Sequence, residues 1–202
     1  MTQLGRPVGA DSEETRRRII TAAMRCVAEV GYSQASIREI ARAAEMTSGS
    51  LYHYFPNKSE LLHAIGEEIE AIVLPRLRAA AGRPGDVVDR LDAVLDESTR
   101  LVRDYPYLTG FLRALRSAGT AESPGSKALH DVVFEIVDAA RRRGTLSGET
   151  DTRSTVEAIC ALTRGLTEQA DSLPTRTYQA ALGSAKSLIR GTLFTQRVTE
   201  RP

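Results

Sequence analysis

The sequence predicts an all-α chain of nine helices, and three observations carry that prediction. No segment alternates apolar and polar residues over the length of a strand. Apolar residues instead recur every three or four positions, in stripes separated by glycine and proline stop signals. Three cap-and-glutamate patterns, at Asp11–Glu14, Ser36–Glu39 and Asn57–Glu60, fall within about fifty residues, which implies short, closely spaced helices at the N-terminal end.

The first helix is expected from Ser12 to Val30, with Ile19, Ile20, Ala23, Cys26 and Val27 on one face and Gly31 closing it from a left-handed C′ position. The second runs from Ser36 to Ala44 and buries Ile37, Ile40 and Ala41. Thr47 caps a short third helix ending near Phe55. The fourth starts after Asn57 and carries Leu61, Leu62, Ile65, Ile69 and Ile72 toward Pro75, which is expected to kink or end it. A fifth helix, Gly85–Tyr105, is stopped by Pro106, and a sixth, Tyr107–Gly119, by its glycine. Thr120–Ser126 reads as a loop. The seventh helix, Lys127–Gly144, carries arginines in its last turn, where they suit the helix dipole. The eighth covers Ser154–Ser172 and the ninth Thr175–Phe194. The tails, Met1–Ala10 and Thr199–Pro202, are expected to be disordered.

Composition narrows the function classes. At 202 residues, 42% hydrophobic and 26% charged, the chain can build a core without a metal or disulfide staple. No apolar run approaches the roughly 20 residues of a membrane span, and the N-terminus lacks the apolar stretch of a signal peptide, so a cytoplasmic protein is expected. Cys26 and Cys160 lie far apart in apolar helical contexts and read as buried thiols. His53, His63 and His130 are scattered, and no metal-binding, phosphate-loop or nucleophile-elbow motif appears. Neither catalysis nor a cofactor is therefore expected. A formal net charge of +1, with eight Lys or Arg against seven acids in the first 63 residues, argues against a non-specific nucleic-acid coat.

The third helix is unusual in composition. On a helical wheel, Ser48, Gly49, Tyr52 and His53 fall on one half, and Ser50, Leu51, Tyr54 and Phe55 on the other. The second half is suited to docking against the first two helices. The first half suits DNA: Gly49 lets the backbone approach closely, Thr47 and Ser48 are short donors and acceptors, and Tyr52 and His53 reach phosphates or thymine methyls. Lys58 adds a charge at the start of the next helix. A short helix, a tight turn at Ala44–Met46 and a second short helix make a helix-turn-helix, whose second member enters the major groove. The same face also suits a protein contact or an ordinary polar surface.

From Gly31 to Ile65, "GYSQASIREIARAAEMTSGSLYHYFPNKSELLHAI" strongly resembles the N-terminal domain of the tetracycline-repressor (TetR) family. The resemblance rests on Gly31 with Tyr32, on Ile40 with Ala41, on Gly49, Leu51, Tyr52 and Phe55, and on Lys58 followed by Leu61 and Leu62. It implies a nine-helix architecture with an N-terminal three-helix helix-turn-helix head, residues 11–56, after an arm of residues 1–10. Residues 57–198 would form a helical effector-binding and dimerisation domain. It also implies that Ser36, Thr47, Ser48, Gly49, Tyr52, His53, Tyr54 and Lys58 contact DNA, with Arg38 added from the second helix. Two residues depart from the family pattern. Glu45 stands where the turn often has glycine, costing about 1 kcal/mol if left-handed, and Ser48 stands where a lysine is frequent.

A single short helix reads few base pairs, so two copies on a palindrome are expected. Leu182, Ala185, Ile189 and Thr192 form a stripe near the C-terminus, flanked by a small-residue ridge of Gly183, Ser187 and Gly191. The eighth helix offers Ala161, Leu162, Gly165 and Leu166. The family pairs its last two helices with a partner's; the same stripes also suit packing within one chain. The resemblance further implies a small-molecule effector that releases a repressor from double-stranded operator DNA. Leu91, Leu95, Leu101, Tyr105, Phe111, Leu115, His130, Phe134 and Val137 are the candidate lining, although such stripes are equally ordinary core.

Overall fold

The computed structural model describes residues 8–119, 124–146, 151–170 and 172–191. Among these lie nine helices and no strand: α1 (Val8–Val30), α2 (Ile37–Ala43), α3 (Ser48–Tyr54), α4 (Lys58–Ala81), α5 (Val87–Asp104), α6 (Leu108–Ser117), α7 (Pro124–Arg142), α8 (Thr152–Gln169) and α9 (Thr175–Arg190). The all-α prediction holds, with three boundary corrections. Helix α1 already runs from Val8, so the Asp11–Glu14 pattern lies inside it, and residues 8–10 of the expected arm are helical. Helix α4 continues through Pro75 to Ala81. Proline removes one helical hydrogen bond there, but Ile69, Val73, Leu77 and Ala80 are buried on either side of it, so packing outweighs the break. Helix α7 begins at Pro124, inside the expected loop. The tails 1–7 and 192–202 lie outside the described residues, as do 120–123 of that loop.

The chain forms two compact units, residues 1–73 with 105–127 and residues 74–104 with 128–202. The first is thus larger than the expected head of residues 11–56. It holds α1, α2, α3, the first part of α4, and α6. Its core includes Ile19, Val27, Ile40, Leu51, Leu61, Ile65 and Phe111, each fully buried. Helices α1 and α6 pack so closely that a Cβ added to Gly110 would stand 2.9 Å from the Ala28 Cβ.

The second unit holds the rest of α4, α5, most of α7, α8 and α9. Leu95 of α5, Leu166 of α8, and Leu182 and Ala185 of α9 form one buried cluster, with Leu162, Ala181 and Ile189 packed against it. A polar seam runs beside it between α5 and α9. Arg190 reaches Asp92 at 2.5 Å and Asp89 at 3.1 Å, Lys186 reaches Asp96 at 2.6 Å, and Thr99 and Tyr178 share a 3.0 Å hydrogen bond. At the C-terminal end of α4, Arg76 donates to Glu97 at 2.6 Å and pairs with Asp104 at 2.8 Å, while Arg100 also donates to Glu97 at 2.6 Å. Cys26 and Cys160 are free and buried, and burial pushes the Cys160 thiol up to about 11. No helix among the described residues is long and apolar enough to cross a membrane.

Candidate nucleic-acid interface

Local chemistry fixes the α2–turn–α3 unit. Ser36 caps α2 by a capping box: its Oγ accepts from the Glu39 amide at 3.3 Å, and Glu39 Oε2 accepts from the Ser36 amide at 2.9 Å. Those Ser36 hydrogen bonds hold the Glu39 carboxyl below its usual range. The helix then reverses through Ala44–Met46, with Met46 N–H donating to the Ala41 carbonyl at 2.9 Å and Glu45 N–H to that of Arg42 at 3.1 Å. Glu45 is left-handed, with φ 55°, and is the one such non-glycine residue among those described. The turn is therefore left-handed at a position where glycine is expected, and it accepts about 1 kcal/mol of local strain.

Thr47 caps α3, its Oγ1 accepting from the Ser50 amide at 3.0 Å and sharing a 2.9 Å hydrogen bond with the Ser50 hydroxyl. Leu51 and Phe55 anchor the helix in the core of the first unit, at 0% and 3% exposure. Each contributes about 1.5–3 kcal/mol by burial, and the Arg16 guanidinium lies 5.4 Å over the Phe55 ring. The opposite face is open. Gly49 and His53 are exposed, Ser48 is half-buried, and Tyr52 is 50% exposed. A Cβ on Gly49 would meet only Thr47 Oγ1, at 3.8 Å. Tyr54, placed by the wheel on the docking half, is half-buried. Arg38 is exposed on α2 and has no hydrogen bond or ion pair among the described residues.

Lys58 is placed differently from a free phosphate-binding charge. Its ammonium donates to the Tyr32 carbonyl and lies 4.6 Å over the Tyr32 ring. Burial lowers its pKa, opposed by the Glu39 charge. Sequence reasoning missed this contact because its partner is a backbone carbonyl 26 residues away. Asn57 caps α4, accepting from the Glu60 amide at 2.9 Å, while its own side-chain amide donates to Glu60 Oε1 at 3.0 Å.

With this geometry in place, the chain can be set beside known proteins. The model for bacterial regulatory proteins of the tetR family matches residues 19–65. The HTH-type transcriptional repressor KstR of Mycolicibacterium smegmatis is 30% identical over 144 residues, covering 70% of this chain and 69% of that protein. The chain belongs to the TetR family. The HTH-type transcriptional regulator SrpR of Pseudomonas putida is 28% identical over 199 residues, with 93% and 91% covered. The fatty acid degradation regulator FadR of Bacillus halodurans has the same fold, with a TM-score of 0.75 at 21% identity over 96% of this chain and 100% of that one. FadR of Bacillus subtilis, crystallised with stearoyl-CoA, gives 0.73 at 19% identity over 88% and 99%. This TetR-family chain is therefore a DNA-binding, helix-turn-helix transcriptional regulator, and α2, the turn and α3 lie within the matched residues.

The other nominated residues divide between the units. Phe111 and Leu115 are buried and Tyr105 half-buried in the first; Leu91, Leu95, Leu101 and Val137 are buried in the second. His130 and Phe134 depart from the lining expected of them. Phe134 is 45% exposed and stacks on His130 with centroids 6.5 Å apart, and the imidazole lies 3.8 Å from both Asp131 and Glu157. This pair is at the surface of the second unit because the polar side of α7 carries it.

The expected dimer stripe also needs correction. Leu166, Leu182 and Ala185 are buried within the chain, with Leu162 and Ile189 against them. Gly191 is no part of a helical ridge; it is the left-handed C-cap of α9, with φ 70°. Ala161, Gly165 and Gly183 remain exposed, and Ser187 is half-buried.

Proposed function

We propose that this TetR-family protein is a ligand-released repressor that binds a palindromic operator as a homodimer. The observation that carries the reading is the open face of α3, where Ser48, Gly49, Tyr52 and His53 project while Leu51 and Phe55 anchor the helix from behind. In this reading α3 enters the major groove, with Thr47 and Tyr54 at its two ends. Ser36 and Arg38 meet the phosphate backbone from α2, and Lys58 supports them from beneath.

Dimerisation uses the outer faces of α8 and α9. Ala161, Gly165 and Gly183 are exposed there and allow close helix approach. The buried Leu166, Leu182 and Ala185 support that face from within, and the half-buried Leu162, Ser187 and Ile189 border it. Residues 57–198 are assigned to effector binding and dimerisation. The stearoyl-CoA in the Bacillus subtilis FadR crystal supports an acyl or other largely apolar effector, bounded within the second unit by Leu91, Leu95, Leu101 and Val137. Such a ligand empties the operator only by preferring the released conformation by several kcal/mol. The protein acts in the cytoplasm.

The test is fluorescence anisotropy with duplex DNA from upstream of the protein's own gene, against shuffled duplex, over a salt series, with the mass of the complex measured in parallel. Sequence-dependent binding with two chains per duplex is expected. If genome-wide selection of bound fragments also yields no preferred sequence, the reading fails.

A further inference from the structure

We propose that each operator half-site is read through thymine C5-methyl groups packed on the Tyr52 ring, and not through guanine-directed cations on α3. This inference rests on the operator-binding reading above. The commonest sequence-specific contact in the major groove is a bidentate Arg or Lys on guanine O6 and N7. Helix α3, Ser-Gly-Ser-Leu-Tyr-His-Tyr, contains neither residue. The nearest ammonium, that of Lys58, is committed to the Tyr32 carbonyl and ring. The hydroxyls of Thr47 and Ser50 are committed to each other and to the helix cap.

The ring of Tyr52 is what the face offers instead. It is 50% exposed, the largest apolar surface that α3 leaves uncovered, and its hydroxyl has no partner among the described residues. Gly49 lies one turn earlier and carries no side chain, with only Thr47 Oγ1 near where a Cβ would stand, at 3.8 Å, so the floor of the groove can approach beside the ring. Thymine is the one ordinary base that presents an apolar group in the major groove. Covering one methyl against the ring is worth roughly a fourfold change in affinity. Tyr52 is thereby a specificity-determining residue, while the hydroxyl of Ser48 and the imidazole of His53 supply hydrogen bonds around it.

The experiment uses the full chain and its selected operator. Each thymine of a half-site is replaced in turn by deoxyuridine, which removes the methyl alone, and Kd is measured at fixed salt. The expected result is a loss of roughly fourfold at one or two positions. That loss vanishes in Tyr52→Ala, which binds thymine and uracil duplexes equally, and persists in Tyr52→Phe. Replacing the sensitive T·A pair by 5-methylcytosine·G should cost less than replacing it by cytosine·G. Uracil tolerance at every position, or a uracil penalty undiminished in Tyr52→Ala, would overturn the inference while leaving the operator reading intact. If Tyr52→Ala binds too weakly to measure, a Tyr52→Phe protein that has lost the uracil penalty overturns it equally. Absence of any sequence preference in the wild-type protein overturns the operator reading, and this inference with it.

Discussion

Replacing Lys58 by methionine separates two roles that a lysine at the start of α4 can play. The substitution keeps most of the apolar stem and removes the ammonium. In the structure that ammonium donates to the Tyr32 carbonyl and sits 4.6 Å over its ring, joining the α1–α2 connection to the start of α4. A hydrogen bond from a charged group contributes about 1.5–3 kcal/mol. The site is only half-buried, so about 1 kcal/mol is the appropriate figure after solvent screening. For a chain of this size that corresponds to a fall of about 2–4 °C in Tm. The salt dependence of operator binding should barely move, because a charge engaged inside the protein displaces few counterions. A direct phosphate contact would instead remove about 0.9 per head from the slope of log K against log salt concentration. Arg38→Ala is the internal reference: Arg38 is exposed and unpaired among the described residues, and its loss should reduce the slope by about 0.9 per head. A Lys58→Met protein with an unchanged Tm and a slope reduced as far as that of Arg38→Ala would refute the assignment.

Gly110→Ala should destabilise the protein by about 1–2 kcal/mol despite the better helix propensity of alanine, because its Cβ would stand 2.9 Å from that of Ala28. Urea unfolding should show the loss, and adding Ala28→Gly should recover most of it. Glu97→Gln removes a charge that accepts from both Arg76 and Arg100 at 2.6 Å with its side chain 11% exposed, at a cost of about 1–2 kcal/mol once solvent screening of the partly exposed arginines is included. Burial alone would raise the Glu97 carboxyl, but the two arginines outweigh it and hold it below its ordinary value of 4.5. Its contribution is therefore complete above that pH and lost as pH falls through the lower folded value, so thermal melts of Glu97→Gln should show a shallower loss of stability than wild type below pH 4.5.

The α2–turn–α3 geometry was legible because its determinants are local. Ser36 with Glu39, and Thr47 with Ser50, act over three residues, so the caps, the turn between them and the burial of Leu51 and Phe55 can be read from spacing alone. Determinants that depend on a distant partner were not legible. Nothing within a helical turn of Lys58 points to Tyr32. Nothing near Pro75 shows that buried residues on both sides of it hold α4 together. Asp11–Glu14 reads as a cap because its residue types suit one, yet α1 starts at Val8, and acids in the early turns of a helix serve the dipole equally well. The candidate effector residues show the same limit: 3–4 spacing finds an apolar face without saying whether a ligand or another helix covers it.

The last two helices make that limit testable. Spacing gives α9 two candidate faces, one of Leu182, Ala185 and Ile189 and one of small residues including Gly183. The structure assigns the first to the interior, because Leu95 of α5 and Leu166 of α8 face it and the Asp92–Arg190 and Asp96–Lys186 pairs fix the register. In the proposed homodimer, the face left for a second copy carries Gly183 on α9 and Gly165 on α8, where an added Cβ would meet no atom within 4 Å. Two substitutions on one helix should then behave oppositely. Leu182→Ala empties a buried site and should cost about 2–5 kcal/mol of stability. Gly183→Leu places its Cβ where no atom lies within 4 Å and raises helix propensity, so helical content should be retained while the outer face is blocked. Light scattering should report one chain per particle for Gly183→Leu and for Gly165→Leu. A two-chain mass undiminished in both would place dimerisation elsewhere. A loss of helical content in Gly183→Leu equal to that in Leu182→Ala would mean that the outer face of α9 is not free.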